Sequence, residues 1–251
     1  MLRKSSLPII VIVSLFIIWE AASRIFTIPT WVLPAPTVIL AEAINGWSNY
    51  QHHIFSTLSL TVSGFVLGAG VGLIIAIVLH LLPKIREALY PLLIMSQNIP
   101  IIVLAPLLVI WFGFGITPKL LIITLVCFFP VAVSMIDGLR HTNQDLVHYM
   151  KMAGATKKQI FTKLELPHAL PQFFSGLKIS ATYSVMGAVI SEWLGANKGI
   201  GVYMTLASSS FRTDRVFVAI LFIMILCMVF FALIMLAEKI CLKWQTNKGE
   251  K

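Results

Sequence analysis

The sequence predicts an all-α membrane helix bundle of about six spans, on three observations. Hydrophobic residues make up 58% of the 251 positions and charged residues only 12%, with a mean hydropathy of +0.92, whereas soluble domains are roughly 45–50% apolar. The apolar residues fall into blocks near the ~20-residue length that a bilayer core of about 30 Å requires of a helix. The charges gather in the connections between those blocks. A single polytopic transmembrane domain over residues 1–251 is the organisation this pattern predicts.

The opening "MLRKSSLPIIVIVSLFIIWEAAS" has the basic start and apolar centre of a signal peptide, but its apolar run continues to Phe26. That length suits a retained first span. Five further spans are expected at about 58–82, 89–112, 120–136, 173–194 and 216–237. The fifth is interrupted by Lys178, Ser180, Thr182, Ser184, Ser191 and Glu192, a polar side suited to a bundle interior or a water-filled path. Between the first two spans, "LPAPTVILAEAINGWSNYQHH" reads as a short amphipathic helix at the outer interface, where Trp47 and Tyr50 would anchor.

Two polar or glycine-rich features lie inside spans. Gly64, Gly68 and Gly72 recur every four residues, which places them on one helix face and lets another backbone come close. In "SQNIP", Ser96, Gln97 and Asn98 need internal hydrogen-bond partners, while Pro100 and Pro106 each remove a helical donor and invite a kink. Polar glue between helices and the lining of a pathway both fit Ser96 to Asn98, as they fit Ser180 and Ser184.

The net charge of +9 does not mark a nucleic-acid binder, because the basic residues are not arrayed along one surface. One side of the membrane collects Arg3, Lys4, Lys84, Arg86, Arg140, Lys151, Lys157, Lys158, Lys163, Lys239, Lys243, Lys248 and Lys251; the other holds Arg24, Lys119, Lys198, Arg212 and Arg215. The positive-inside rule then places both termini and the connection 137–172 in the cytoplasm. The tail "KWQTNKGEK" is expected to be disordered. Cys127, Cys227 and Cys241 lie within or at the ends of apolar runs and read as reduced, with no disulfide or metal role.

The connection 137–172 is the longest. Within it, "DLVHYMKMAG" can form a short helix closed by Gly154, since glycine readily takes the left-handed conformation. "ATKKQIFTKLEL" can form a second, with Ile160, Phe161, Leu164 and Leu166 on an apolar side and Lys157, Lys158 and Lys163 solvated, ended by Pro167. The corner Ala153, Gly154, Ala155 and Thr156 is then presented outward. Docking onto another protein and lying on the membrane surface both suit such a unit.

Here the sequence resembles the transmembrane permease subunits of ATP-binding-cassette importers. Their cytoplasmic signature is Glu-Ala-Ala, three residues, Gly, nine residues, then Ile-x-Leu-Pro; this chain has Gly154, nine residues, then Leu164, Glu165, Leu166 and Pro167. His148, Tyr149 and Met150 stand in the places of the triplet. "WVLPAPTVI", "PKIREALYPLLIMSQNIPIIVLAPLLVIWFGFG" and "SEWLGANKGIGVYM" resemble the branch serving nitrate, sulfonate, taurine and thiamine-precursor uptake, over about residues 31–238.

The resemblance implies a type I importer permease (MetI-like) fold in a prokaryotic plasma membrane. It implies a second permease copy, expected as a homodimer, a cytoplasmic ATP-binding subunit that receives the corner 153–156, and an extracytoplasmic substrate-binding protein; Glu192, beside Trp193 at the outer end of its span, suits a seat at the outer interface or a contact with that protein. Surrounding lipid is the remaining partner. ATP is then bound by the partner subunit, with no cofactor or metal in this chain. No G-x-x-x-x-G-K-[ST] occurs, so no P-loop ATPase is expected here. An ion-coupled secondary transporter is the alternative, with Lys178 and Glu192 as its ionisable candidates. H-E-x-x-H and G-x-S-x-G are also missing from the sequence, which argues against the zinc-protease and serine-hydrolase classes.

Overall fold

The computed structural model describes residues 6 to 243. Arg3, Lys4, Lys248, Lys251 and the tail from Trp244 onward lie outside the described residues. Among the described residues the secondary structure is all helical, and five helices are long and apolar enough to cross a membrane, or six if one sharply bent pair counts as a span. In order these are α1 (Ser6–Ile25), α2 (Pro36–Asn45), α3 (Trp47–Leu81), α4 (Pro83–Ser96), α5 (Ile101–Phe112) and α6 (Ile116–Arg140). Next come α7 (Gln144–Met152), α8 (Lys157–Ile160), a π-turn (Phe161–Glu165), α9 (Leu166–Glu192), α10 (Ile200–Ser209) and α11 (Thr213–Cys241).

Two compact units are built from these helices. The first comprises Met1–Thr57 and Asn197–Ile225. Its core joins Ile39, Tyr50, Ile200, Tyr203, Val218 and Ala219. Tyr50 is 2% exposed and donates its hydroxyl to the Ala43 carbonyl, so it is a core residue and not the interfacial anchor its sequence position suggested. The reason is that Trp47 begins α3, a single helix of 35 residues, about 52 Å long at 1.5 Å per residue. Its first turns pack inside the unit. From that segment His53 Nδ1 accepts the Gly199 amide at 3.0 Å and Thr57 Oγ1 accepts the Ile200 amide at 2.8 Å. Two orphan donors at the start of α10 are satisfied in this way by side chains one turn apart.

The second unit comprises Leu58–Ala196 and Leu226–Lys251. Its most closely packed helices are α6 and α9, and α3 lies against α6 through the glycine stripe. A Cβ built on Gly64 would stand 2.4 Å from Ile123 Cγ2, one on Gly68 2.5 Å from Cys127 Cβ, and one on Gly72 2.6 Å from the Phe128 carbonyl oxygen. The four-residue repeat therefore serves close packing, as its spacing predicts.

Two further sequence expectations need correction. The span expected at 89–112 is not merely kinked: α4 and α5 meet at 101°. Pro100 supplies no amide and sits extended at ψ 124°, and the residue before a proline is pushed away from helical angles. The polar residues beside it complete the stop. Ser96 Oγ donates to the Leu93 carbonyl at 2.7 Å and Asn98 Nδ2 to that of Ile94 at 3.4 Å, satisfying part of the last turn of α4.

The second correction concerns Pro167, which does not end a helix. A helical path of 36 residues runs from Lys157 to Glu192, and Pro167 lies in the first turn of α9, directly after the π-turn. The wider turn shifts the hydrogen-bond register where the proline amide is missing, so the path continues.

Candidate functional site

The corner at 153–156 is built by local rules. Asn143 caps α7, its Oδ1 accepting the Asp145 and Leu146 amides at 2.8 and 3.4 Å. At the other end Gly154 adopts φ +82°. The Gly154 amide reaches the Lys151 carbonyl at 3.0 Å and the Ala155 amide that of Met150 at 2.9 Å, the paired bonds of a Schellman stop. Thr156 then opens α8 with a reciprocal capping box through Gln159. Three caps within 17 residues make this turn well defined without a large core beneath it.

Burial orients the unit. Val147 and Ile160 are 6% and 4% exposed and turn inward, while Leu146, Tyr149 and Met152 are exposed on α7, three residues apart and so on one face. Ala153, Gly154 and Thr156 are exposed and Ala155 is half-buried. A Cβ placed on Gly154 meets nothing within 4 Å, so glycine is required here by backbone angle and not by crowding. Leu164, Leu166 and Pro167 are half-buried, at the root of the unit.

A contact absent from the sequence reading ties this root to α3. His80 Nε2 and Glu165 Oε2 lie 2.9 Å apart, and the His80 ring lies 5.8 Å from that of Phe161. Glu165 belongs to the π-turn, so the turn linking the exposed corner to α9 is held to the end of α3. His148, in the triplet position, contacts only the Gln144 carbonyl of its own helix among the described residues, at 2.7 Å.

The polar residues of the spans divide. Ser180 and Ser184 are both 0% exposed. Ser180 donates to the Cys127 carbonyl at 2.7 Å and Ser184 to the Ala181 carbonyl at 2.8 Å, so they face the packed side of α9 and not open space. Glu192, expected as an outer-face contact, is 1% exposed, because it continues the buried stripe of Ser184 and Ala188 at four-residue steps. Lys178 is paired with Glu238 at 2.9 and 3.1 Å.

Ser96 and Gln97, by contrast, line an open cavity of about 400 Å³ at the α4–α5 break, together with Pro100, Phe129, Pro130 and Tyr183. Asn98 is exposed and outside that lining. Tyr183 is not among the residues the sequence singles out, because the small hydroxyls of α9 carry the visible polar signal. Its signal is phase: it shares a helix face with the exposed Ile179 and Met186, at four- and three-residue steps, turned away from the side that buries the serines. Among the described residues no three His, Cys, Asp or Glu side chains gather as a metal-binding group.

Comparison with known proteins places this architecture. The chain is 36% identical over 242 residues to the formylaminopyrimidine transport permease protein ThiX of Halalkalibacterium halodurans, covering 96% of each chain. It is 30% identical over 234 residues to the putative aliphatic sulfonates transport permease protein SsuC of Bacillus subtilis, covering 92% of this chain and 84% of the other. Among solved structures, a chain of the inward-facing MetNI methionine ABC transporter superposes with a TM-score of 0.62 at 20% identity, over 76% of this chain and 93% of that one; this likeness concerns the fold. Residues 68–239 match the family of binding-protein-dependent transport system inner membrane components. The chain therefore belongs to that family, and it is a multi-pass permease subunit of the ABC importer type.

Proposed function

We propose that this chain forms half of a substrate pathway whose movement is driven by a separate cytoplasmic ATPase docked on the corner 153–156. The observation that carries the reading is the exposed, triply capped turn: an apolar face of Leu146, Tyr149 and Met152 beside a glycine at φ +82° with free space around it. Rigid, apolar and protruding, it suits a groove on another protein. ATP is bound and hydrolysed by that partner, and this chain contributes no catalytic residue. Closure of a partner dimer would move the turn, and the π-turn with its His80–Glu165 contact would pass that motion to α9 and α3.

In this reading both termini face the cytoplasm, a second copy completes the pathway, and a binding protein delivers substrate from outside. The substrate is a small organic solute, either a sulfonate or taurine-type anion or a pyrimidine precursor of thiamine; relatives named for formylaminopyrimidine and for aliphatic sulfonates support both classes. The test is gentle detergent purification of wild type and Gly154→Asp from native membranes, with mass spectrometry and an ATPase assay. Wild type is expected to carry an ATPase that the variant loses while remaining folded. An intact wild-type chain that comes alone, under conditions preserving similar complexes, would favour an ion-coupled transporter.

A further inference from the structure

Resting on the importer reading, we infer that the cavity at the α4–α5 break is a binding station for an uncharged, flat heteroaromatic solute rather than for an anion. At about 400 Å³ it has the size of a small-molecule site. It lies where a span is broken, and in transporters substrate sites form where irregular backbone lines a cavity.

The chemistry of the walls selects the class. Among the described residues no charged side chain lines the cavity. An anion entering it would shed its water with no counter-charge in reach. The nearest lysine in sequence on α9, Lys178, is already bound to Glu238 at 2.9 Å. What the walls do offer is the rings of Phe129 and Tyr183, the proline faces of Pro100 and Pro130, and the neutral groups of Ser96 and Gln97. The Gln97 amide is exposed and its side chain makes no hydrogen bond among the described residues. An amide presents a donor and an acceptor side by side, the pattern found along the edge of an aminopyrimidine. Aromatic walls receive the faces of such a ring.

The experiment reconstitutes the permease with its ATPase and binding protein in liposomes, using a radiolabelled formylaminopyrimidine and taurine as probes. Wild type is expected to show ATP-dependent uptake of the pyrimidine and none of taurine, an arm that needs no variant. Gln97→Leu and Tyr183→Leu should each lower pyrimidine uptake about tenfold, the scale of one lost hydrogen bond or ring contact. Tyr183→Trp, which keeps an aromatic face, should restore most of it. Retention of the ATPase on purification shows that each variant assembles.

Taurine uptake without pyrimidine uptake, or wild-type pyrimidine uptake in both leucine variants, overturns this inference and leaves the importer reading standing. Failure of an assembled, ATP-hydrolysing complex to carry the pyrimidine overturns it as well. A wild-type chain with neither an ATPase nor ATP-dependent uptake overturns the importer reading and this inference with it.

Discussion

Ser180 and Ser184 on α9 and Ser96 and Gln97 at the end of α4 are the same kind of interruption, polar residues set in apolar spans, yet they meet opposite fates. The first pair is wholly buried and used up in hydrogen bonds to the Cys127 and Ala181 carbonyls. The second pair borders open space: Ser96 donates to the Leu93 carbonyl of its own helix, as Ser184 does to Ala181, but Gln97 keeps its amide free of partners among the described residues. The difference lies in what faces each residue. Opposite Ser180 stands α6, brought close enough to offer a carbonyl. At the α4–α5 break the helix turns by 101° and leaves a cavity of about 400 Å³ between itself and side chains that include Phe129, Pro130 and Tyr183. A polar residue in a span is glue when a carbonyl comes within its reach, and a candidate site when it faces a cavity.

The comparison can be broken most forcefully where helices approach closest. Gly68→Leu must push aside Cys127 Cβ at 2.5 Å and the Thr124 carbonyl at 2.9 Å, with a loss of about 3 kcal/mol expected from overpacking. Thermal melting in detergent should show it as a large fall in midpoint or as failure to accumulate. The matching change at an open position, Gly154→Leu, meets no atom within 4 Å and carries only a left-handed backbone cost of about 1–2 kcal/mol. A melt in which Gly154→Leu proves the more damaging would contradict the contrast between packed and open glycines.

A smaller effect tests the buried side in another way. Lys178→Ala leaves the Glu238 carboxylate, about one-fifth exposed, without its partner, at a cost of about 2 kcal/mol after allowing for partial solvation. The double variant Lys178→Met with Glu238→Gln should recover most of that loss, because no lone charge remains; melting curves of the single and double variants measure the recovery.

Single hydroxyls come next. Ser180→Ala removes the 2.7 Å bond to the Cys127 carbonyl and should cost about 1 kcal/mol. Gln97→Ala should stay within about 0.5 kcal/mol of wild type, since its side chain holds nothing in place. Equal losses in the two melts would mean that the cavity residues are structural after all.

Much of this architecture was legible in one dimension because it follows from local chemistry. The cap at Asn143, the left-handed Gly154 and the Thr156 capping box depend on residues within a turn of one another, so the corner can be drawn from "NQDLVHYMKMAGATKKQ" alone. The glycine stripe was equally plain, since a four-residue repeat lies on one face of a helix whatever the partner. The path beyond Pro167 was not. A proline reads as a helix stop, and only the π-turn at Phe161–Glu165 let the path continue to Glu192. Tyr183 was likewise obscured, because a lone aromatic in an apolar span gives no sign of which side it takes.

The sequence by itself determined the approximate placement of the five long spanning helices, the close-packing face of α3 and the helix stop at Gly154, but not that the apolar run at 89–112 is two helices bent by 101°. Hydropathy, helical periodicity and capping act over a few residues and do not need a partner. Only the tertiary structure decided that Ser180, Ser184 and Glu192 are buried, that Lys178 meets Glu238 across 60 residues of chain, and that Ser96 and Gln97 are left facing a cavity. Those outcomes depend on which helix comes near which, set by packing between segments far apart in the chain. The periodicity of one helix carries no record of that neighbour.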